Sequence, residues 1–110
     1  MIVVTIYMHV RPEKRTEWLQ TIGALVSLVR EETGCVSSRF YLDVENDDAF
    51  CLLEAWATQE EMDNHLRSST CRVLLGAMQL LSEPPEIRFH TVSATAGIEA
   101  IQAARNPMGR

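Results

Sequence analysis

Two stretches of alternating side chains restrict this chain more than any other feature. Residues 2–10 place Ile2, Val4, Ile6, Met8 and Val10 on one side and Val3, Thr5, Tyr7 and His9 on the other, the period-two signature of a strand. Residues 49–56 repeat the pattern, with Phe50 and Leu52 opposed to Cys51, Leu53 and Ala55. Neither strand has a plainly polar face, so a sheet built from them needs cover on both sides. Helices of the same chain supply one cover. A second copy meeting the first sheet to sheet, a homodimer, is the economical source of the other.

The intervening segments supply the helices. Pro12 stops the first strand and suits the first turn of a helix expected to run to about Glu32, with Trp18, Leu19, Ile22, Leu25, Val26 and Val29 at three- and four-residue spacing and Gly34 placed to end it. A strand over 36–43 follows, linked to the 49–56 strand by the acidic, turn-prone Glu45-Asn46-Asp47-Asp48. Thr58-Gln59-Glu60-Glu61 reads as a capping box, with a second helix start at Ser68 or Ser69. Leu74, Leu75, Met78 and Leu81 then form a stripe that Pro84-Pro85 ends before a last strand over 87–92.

Strand, helix, strand, strand, helix, strand is the split β-α-β order of an α+β, ferredoxin-like fold, a four-stranded antiparallel sheet with helices on one face. Residues 1–94 make up this unit. Residues 95–110 are expected to form a tail, either a short helix or partly disordered.

A chain of 110 residues holds one such domain. Its net charge of -5 is concentrated between residues 43 and 63, which carry eight acidic groups and no basic one. That is a poor surface for a nucleic-acid backbone. No uncharged stretch is long enough to span a membrane, and no basic segment precedes an apolar one as in a secretory signal. Cys35, Cys51 and Cys71 are odd in number and widely separated, so buried free thiols in a reducing cytoplasm are expected. His9, His65 and His90 are scattered, so no metal is expected, and five isolated glycines make no nucleotide fingerprint.

The chemistry-bearing segment is Glu54-Ala55-Trp56 followed by His65-Leu66. Glu54 and Trp56 share the parity of Phe50 and Leu52, which puts an acid in an apolar row, where it needs a partner such as a helix terminus or Arg39. His65 lies one turn beyond Glu61, beside Met62 and Leu66, and can turn toward the sheet. A histidine, a carboxylate and an indole would rim a pocket suited to a planar phenol, since imidazole can take a phenolic proton and indole offers a flat contact. From the residues alone, His65 reads first as a satisfied hydrogen-bonding residue at a helix–sheet seam, and Trp56 can be simply core. Tyr7, Phe40, Tyr41 and Leu66 are further candidates for substrate contact, Tyr7 and Tyr41 being divided between a ligand and the seam between copies.

Taken together, the first strand with Pro12, Glu32-Thr33-Gly34-Cys35-Val36 leading to Phe40-Tyr41, the run Phe50 to Trp56, and His65-Leu66 resemble the antibiotic biosynthesis monooxygenase domain family over roughly residues 1–93. The resemblance implies a dimeric α+β barrel and, as in several members, cofactor-free oxidation of a quinol or a cyclic or polycyclic phenol, with dioxygen as co-substrate. It implies that His65 faces the substrate cavity and assists proton removal or holds the oxyanion, that Trp56 shapes the wall, and that Glu54 orients a proton-bearing partner. A haem-degrading branch has a similar fold, but matching puts Leu75 at its axial histidine, and leucine cannot ligate iron. Two alternatives stand beside oxidation. A cofactor-free isomerase of a phosphorylated or dicarbonyl metabolite needs an arginine, such as Arg39, Arg67, Arg72 or Arg88, in a polar pocket. A non-catalytic dimer would bind a small ligand without turnover. Oxidation requires a dry cavity, expected to be largely aromatic.

Overall fold

The computed structural model describes residues 1–108. Strand β1 spans Ile2–His9, β2 Cys35–Asp43, β3 Asn46–Trp56 and β4 Glu86–Thr91, in one antiparallel sheet of order β2-β3-β1-β4. Helix α1 (Arg15–Val29) connects β1 to β2, and α2 (Gln59–Leu66) and α3 (Ser69–Ala77) connect β3 to β4. This is the α+β ferredoxin-like arrangement expected from the element order.

Side-chain parity explains the core. Ile2, Val4, Ile6 and Met8 are buried under the helices beside Phe50, Leu52, Glu54 and Trp56, their register partners on β3. From α1, Trp18, Ile22, Leu25, Val26 and Val29 close over this face. Phe40 stacks on Phe50 at 5.1 Å between ring centroids, which fills the end of the sheet beneath Trp18. The other face carries Val3, Thr5, Tyr7, Cys51, Leu53 and Ala55, all half-buried and covered by no helix.

The local signals act at their expected places, with shifts of a few residues. Thr58 Oγ1 accepts the Glu61 backbone N–H at 3.1 Å and caps α2. Ser68 Oγ accepts from the Cys71 N–H and caps α3, so two helices stand where the stripe alone reads as one region. Helix α1 stops at Val29 rather than near Glu32, and Glu32 enters a turn whose N–H bonds Val29 O and whose carbonyl accepts from Cys35 N. The acidic link is shorter than expected. Strand β3 begins at Asn46 because Asp43 Oδ1 accepts the Glu45 N–H and Asn46 Oδ1 that of Asp48, which tightens the hairpin. In the tail, residues 98–105 form α4 (Ile98–Arg105), none of whose side chains is buried.

Gly34 holds the junction that brings α2 to the sheet. Its φ is +85°, its carbonyl accepts from Ala57 N, and a Cβ there would overlap the Glu61 side chain. Gly34→Ala adds left-handed strain to that overlap and is expected to destabilise the fold by about 1–3 kcal/mol, read as a lower midpoint in urea unfolding. An unchanged midpoint would show that Glu61 simply swings aside and that the strain is negligible.

A candidate acid–base site between α2 and the sheet

Residues far apart in sequence converge on one imidazole. His65 projects from α2 toward the sheet and is only 4% exposed. Its ring stacks on the Trp56 indole at 4.5 Å between centroids and 24° between planes. Nδ1 lies 2.9 Å from Glu32 Oε2, and Nε2 lies 3.5 Å from Glu54 Oε1. Glu54 Oε1 also accepts the Trp56 Nε1–H at 3.1 Å. The indole therefore orients the ring from below and the carboxylate from beside it.

The electrostatics follow from burial. Glu54 is 3% exposed, and loss of hydration pushes its carboxyl above the ordinary 4.5, as does the Glu32 charge to a smaller degree. His65 and the Trp56 N–H pull the other way. Arg39, a partner considered for Glu54, faces Leu53 across the β2–β3 pair on the opposite side of the sheet. Burial likewise raises the Cys35, Cys51 and Cys71 thiols, which are unpaired and poor nucleophiles.

Glu54 and His65 form part of the wall of a hollow of about 260 Å³. Val4 and Ile6 of β1, Ile87 and Phe89 of β4, and Leu66, Leu74, Leu75 and Met78 from the helical side complete it, with Cys71. The hollow exists because no helix covers β4, so Ile87 and Phe89 remain exposed although they sit on the helix side of the sheet. On the other side of the acid–base pair, toward α1, the packing leaves only about 10 Å³. A larger groove of about 410 Å³ along Arg30 and residues 35–39 is more open and contains neither member of the pair.

Among the other expected contact residues, Leu66 lines the hollow. Tyr7 and Tyr41 lie on the opposite face of the sheet, where the Tyr7 hydroxyl donates to Asp43 Oδ2 at 2.6 Å. That bond raises the Tyr7 phenol and lowers the Asp43 carboxyl. Phe40 is on the helix side but is held against Phe50, and Trp56 is fully buried beneath His65 rather than in the wall. The lining is mainly aliphatic, with Phe89 its one phenyl ring, where an aromatic cavity was expected.

Two participants were not anticipated from sequence. Glu32 was read only as the expected end of the first helix and as part of the Glu32–Val36 run, and Phe89 carried no signal beyond sharing parity with Ile87 on the last strand.

Comparison with known proteins agrees with the fold. The family model described as antibiotic biosynthesis monooxygenase matches residues 1–75. The chain is 31% identical over 88 residues to YcnE of Bacillus subtilis, whose monooxygenase assignment is provisional; the match covers 79% of this chain and 93% of that one. It is 28% identical over 95 residues to the uncharacterised protein sll1783 of Synechocystis, covering 86% of this chain but 65% of that protein's length. A crystal structure of a conserved protein from Methanosarcina mazei superposes with a TM-score of 0.76 at 27% identity, over 81% of this chain and 89% of that one. The fold, the element order and the family match together show that this chain belongs to the antibiotic biosynthesis monooxygenase family.

Proposed function

We propose that this protein is a cofactor-independent monooxygenase that oxidises a quinol or phenol with dioxygen, with His65 as the base. The observation that carries this reading is a buried imidazole, held between two carboxylates, in the wall of an otherwise apolar hollow. Two flanking acids stabilise the imidazolium formed when Nε2 takes the phenolic proton. The phenolate is electron-rich enough to reduce dioxygen itself, so the protein binds the ring, removes the proton and limits water.

The atoms balance. Electrons from the ring carbon and oxygen form a C–O bond and leave a peroxide on that carbon. The C–H proton passes to the outer peroxide oxygen as the O–O bond breaks, which leaves a carbonyl and a hydroxide, and the hydroxide takes back the equivalent of the phenolic proton to become water. At about 260 Å³ the hollow is just below the roughly 300–1,000 Å³ of drug-sized sites, which favours one or two fused rings over a larger polycycle.

The lining argues against the isomerase alternative. Among the described residues no arginine or lysine lines the hollow, and its ionisable lining residues, Glu54, His65 and Cys71, offer a phosphate no guanidinium and set an acid beside it. The deciding experiment is oxygen uptake by the purified protein with reduced benzoquinols, naphthoquinols and naphthols. Consumption of one dioxygen per product supports the reading. Equal turnover under nitrogen supports an isomerase, and stoichiometric binding without turnover a ligand carrier.

The same reading includes assembly of two copies through the bare sheet face. Leu53, central on that face, is half-buried in the single chain, with no helix above it. Leu53→Asp is expected to convert a dimer of twice 12.4 kDa to monomer in light scattering after gel filtration. A wild-type monomer would remove this part of the reading.

A further inference from the structure

A base that takes a proton inside an apolar hollow must pass it on before it can act again, and His65 has two ring nitrogens with different surroundings. Nε2 faces Glu54, which is buried, bonded to the Trp56 N–H and raised by desolvation above the ordinary carboxylate value. Nδ1 faces Glu32 at 2.9 Å, in hydrogen-bond contact. The Glu32 side chain is 24% exposed, against 3% for the His65 side chain and 4% for Glu54. Of the three groups, Glu32 alone has substantial access to water. Its backbone is anchored on both sides by the turn bonds to Val29 and Cys35, so the carboxylate is presented to the imidazole by fixed chain rather than by a loose loop.

We infer that Glu32 is the proton outlet of the site, a positioning and relay residue that connects the imidazole in the hollow to solvent. The inference rests on His65 being the base, and it adds a path by which the proton on that base reaches water between the two transfers. On the outward stroke the substrate O–H breaks and Nε2–H forms, while Nδ1–H breaks and a Glu32 O–H forms, which water then discharges. His65 is left neutral, in its other tautomer. On the inward stroke, Nε2–H protonates the departing oxygen of the peroxide while Glu32, which takes a proton back from water, returns it to Nδ1. The ring is thereby reset, consistent with an overall reaction that takes up no net proton.

The other ionisable groups near this path do not compete. Cys35 at the start of β2 and Cys71 on α3 feel both Glu54 and Glu32 and are driven toward the neutral thiol by burial. The nearby Arg30 donates its Nε–H to Ser38 O at 2.9 Å.

The test follows the His65 Nδ1–H in ¹⁵N-histidine-labelled full-length protein, measuring its exchange with water by NMR, with oxygen uptake as a second readout. Glu32→Gln keeps an acceptor for Nδ1–H, so the ring stays placed, but it cannot carry the proton. Exchange is expected to slow at least tenfold and kcat to fall about tenfold with KM little changed. Glu32→Ala is expected to regain both exchange and kcat in proportion to added formate, an effect absent in His65→Gln. Glu31→Gln, on an exposed neighbour, is the control and leaves both at wild-type values. Exchange in Glu32→Gln within twofold of wild type, or no response of Glu32→Ala to formate, overturns the outlet. If wild type consumes no oxygen with any phenol, the oxidation reading falls, while the exchange measurement still decides whether Glu32 conducts protons.

Discussion

His65→Ala is expected to lower kcat/KM for phenol-dependent oxygen uptake by about 10²-fold or more, the range lost when a positioned base is removed. The size follows from the site's isolation. Glu54 is the other base in the wall, and burial together with its bond from Trp56 makes its carboxylate a fixed neighbour rather than a free acceptor. The variant also uncovers the Trp56 ring face, so some stability is lost with the activity. His65→Gln separates the two effects: it refills part of the space and can donate to Glu32, yet it cannot take a proton. Activity falling in both variants while thermal unfolding recovers in the glutamine variant supports a base. A loss smaller than tenfold in either places the base elsewhere.

The second large effect is on Glu54, and here activity and stability are expected to move in opposite directions. Removing the charge that steadies the imidazolium should cost about ten- to a hundred-fold in kcat/KM for Glu54→Gln. The stability argument depends on the direction of the Glu54 shift. Its carboxyl is raised above 4.5 in the fold, chiefly by burial, so the native state holds the proton more tightly than the unfolded chain. The stability that protonation contributes is present in full below the unfolded value and is lost as pH rises through the folded one. Glutamine has no proton to lose and still offers the Trp56 N–H an acceptor. The Tm of Glu54→Gln minus that of wild type should therefore widen from pH 4.5 to pH 8. A gap that narrows or reverses over that range would show that attraction to His65 outweighs desolvation and that the pair is an ion pair.

An acid at this position is costly to the fold, and the packing around it is arranged to hold it there. Trp56 both donates to Glu54 and stacks under His65, so one fully buried side chain sets the geometry of two others. The thiol of Cys71 and the aliphatic wall add no competing charge at neutral pH. Chemistry in the hollow then depends on three side chains from three separate parts of the chain: the turn after α1, strand β3 and helix α2.

Local periodicity was enough to read the strands, the two faces of the first and third, the cap at Thr58, a second helix start at Ser68 or Ser69, and that His65 can turn inward. These depend on neighbours two to four residues away, which a linear chain displays directly. The same logic placed Glu54 and Trp56 in one row with Phe50 and Leu52. It did not say where along that row a ligand would sit. Phe40 shares the helix-facing side with Glu54, but register puts it opposite Leu52 and under the Trp18–Phe50 cluster, away from the imidazole. Tyr7 and Tyr41 were ambiguous because parity names a face only after something else has decided which face the helices cover.

By itself, then, the sequence determined the element order, the two apolar sheet faces and the pairing of an acid with an indole on one strand, since each is encoded in spacing over a few residues. Tertiary structure alone decided that Glu32 meets an imidazole 33 positions away and that β4 is left without a helix so that a hollow opens above Ile87 and Phe89. Both depend on contacts between segments far apart in the chain, such as the close approach of α2 to Gly34, and carry no local signature.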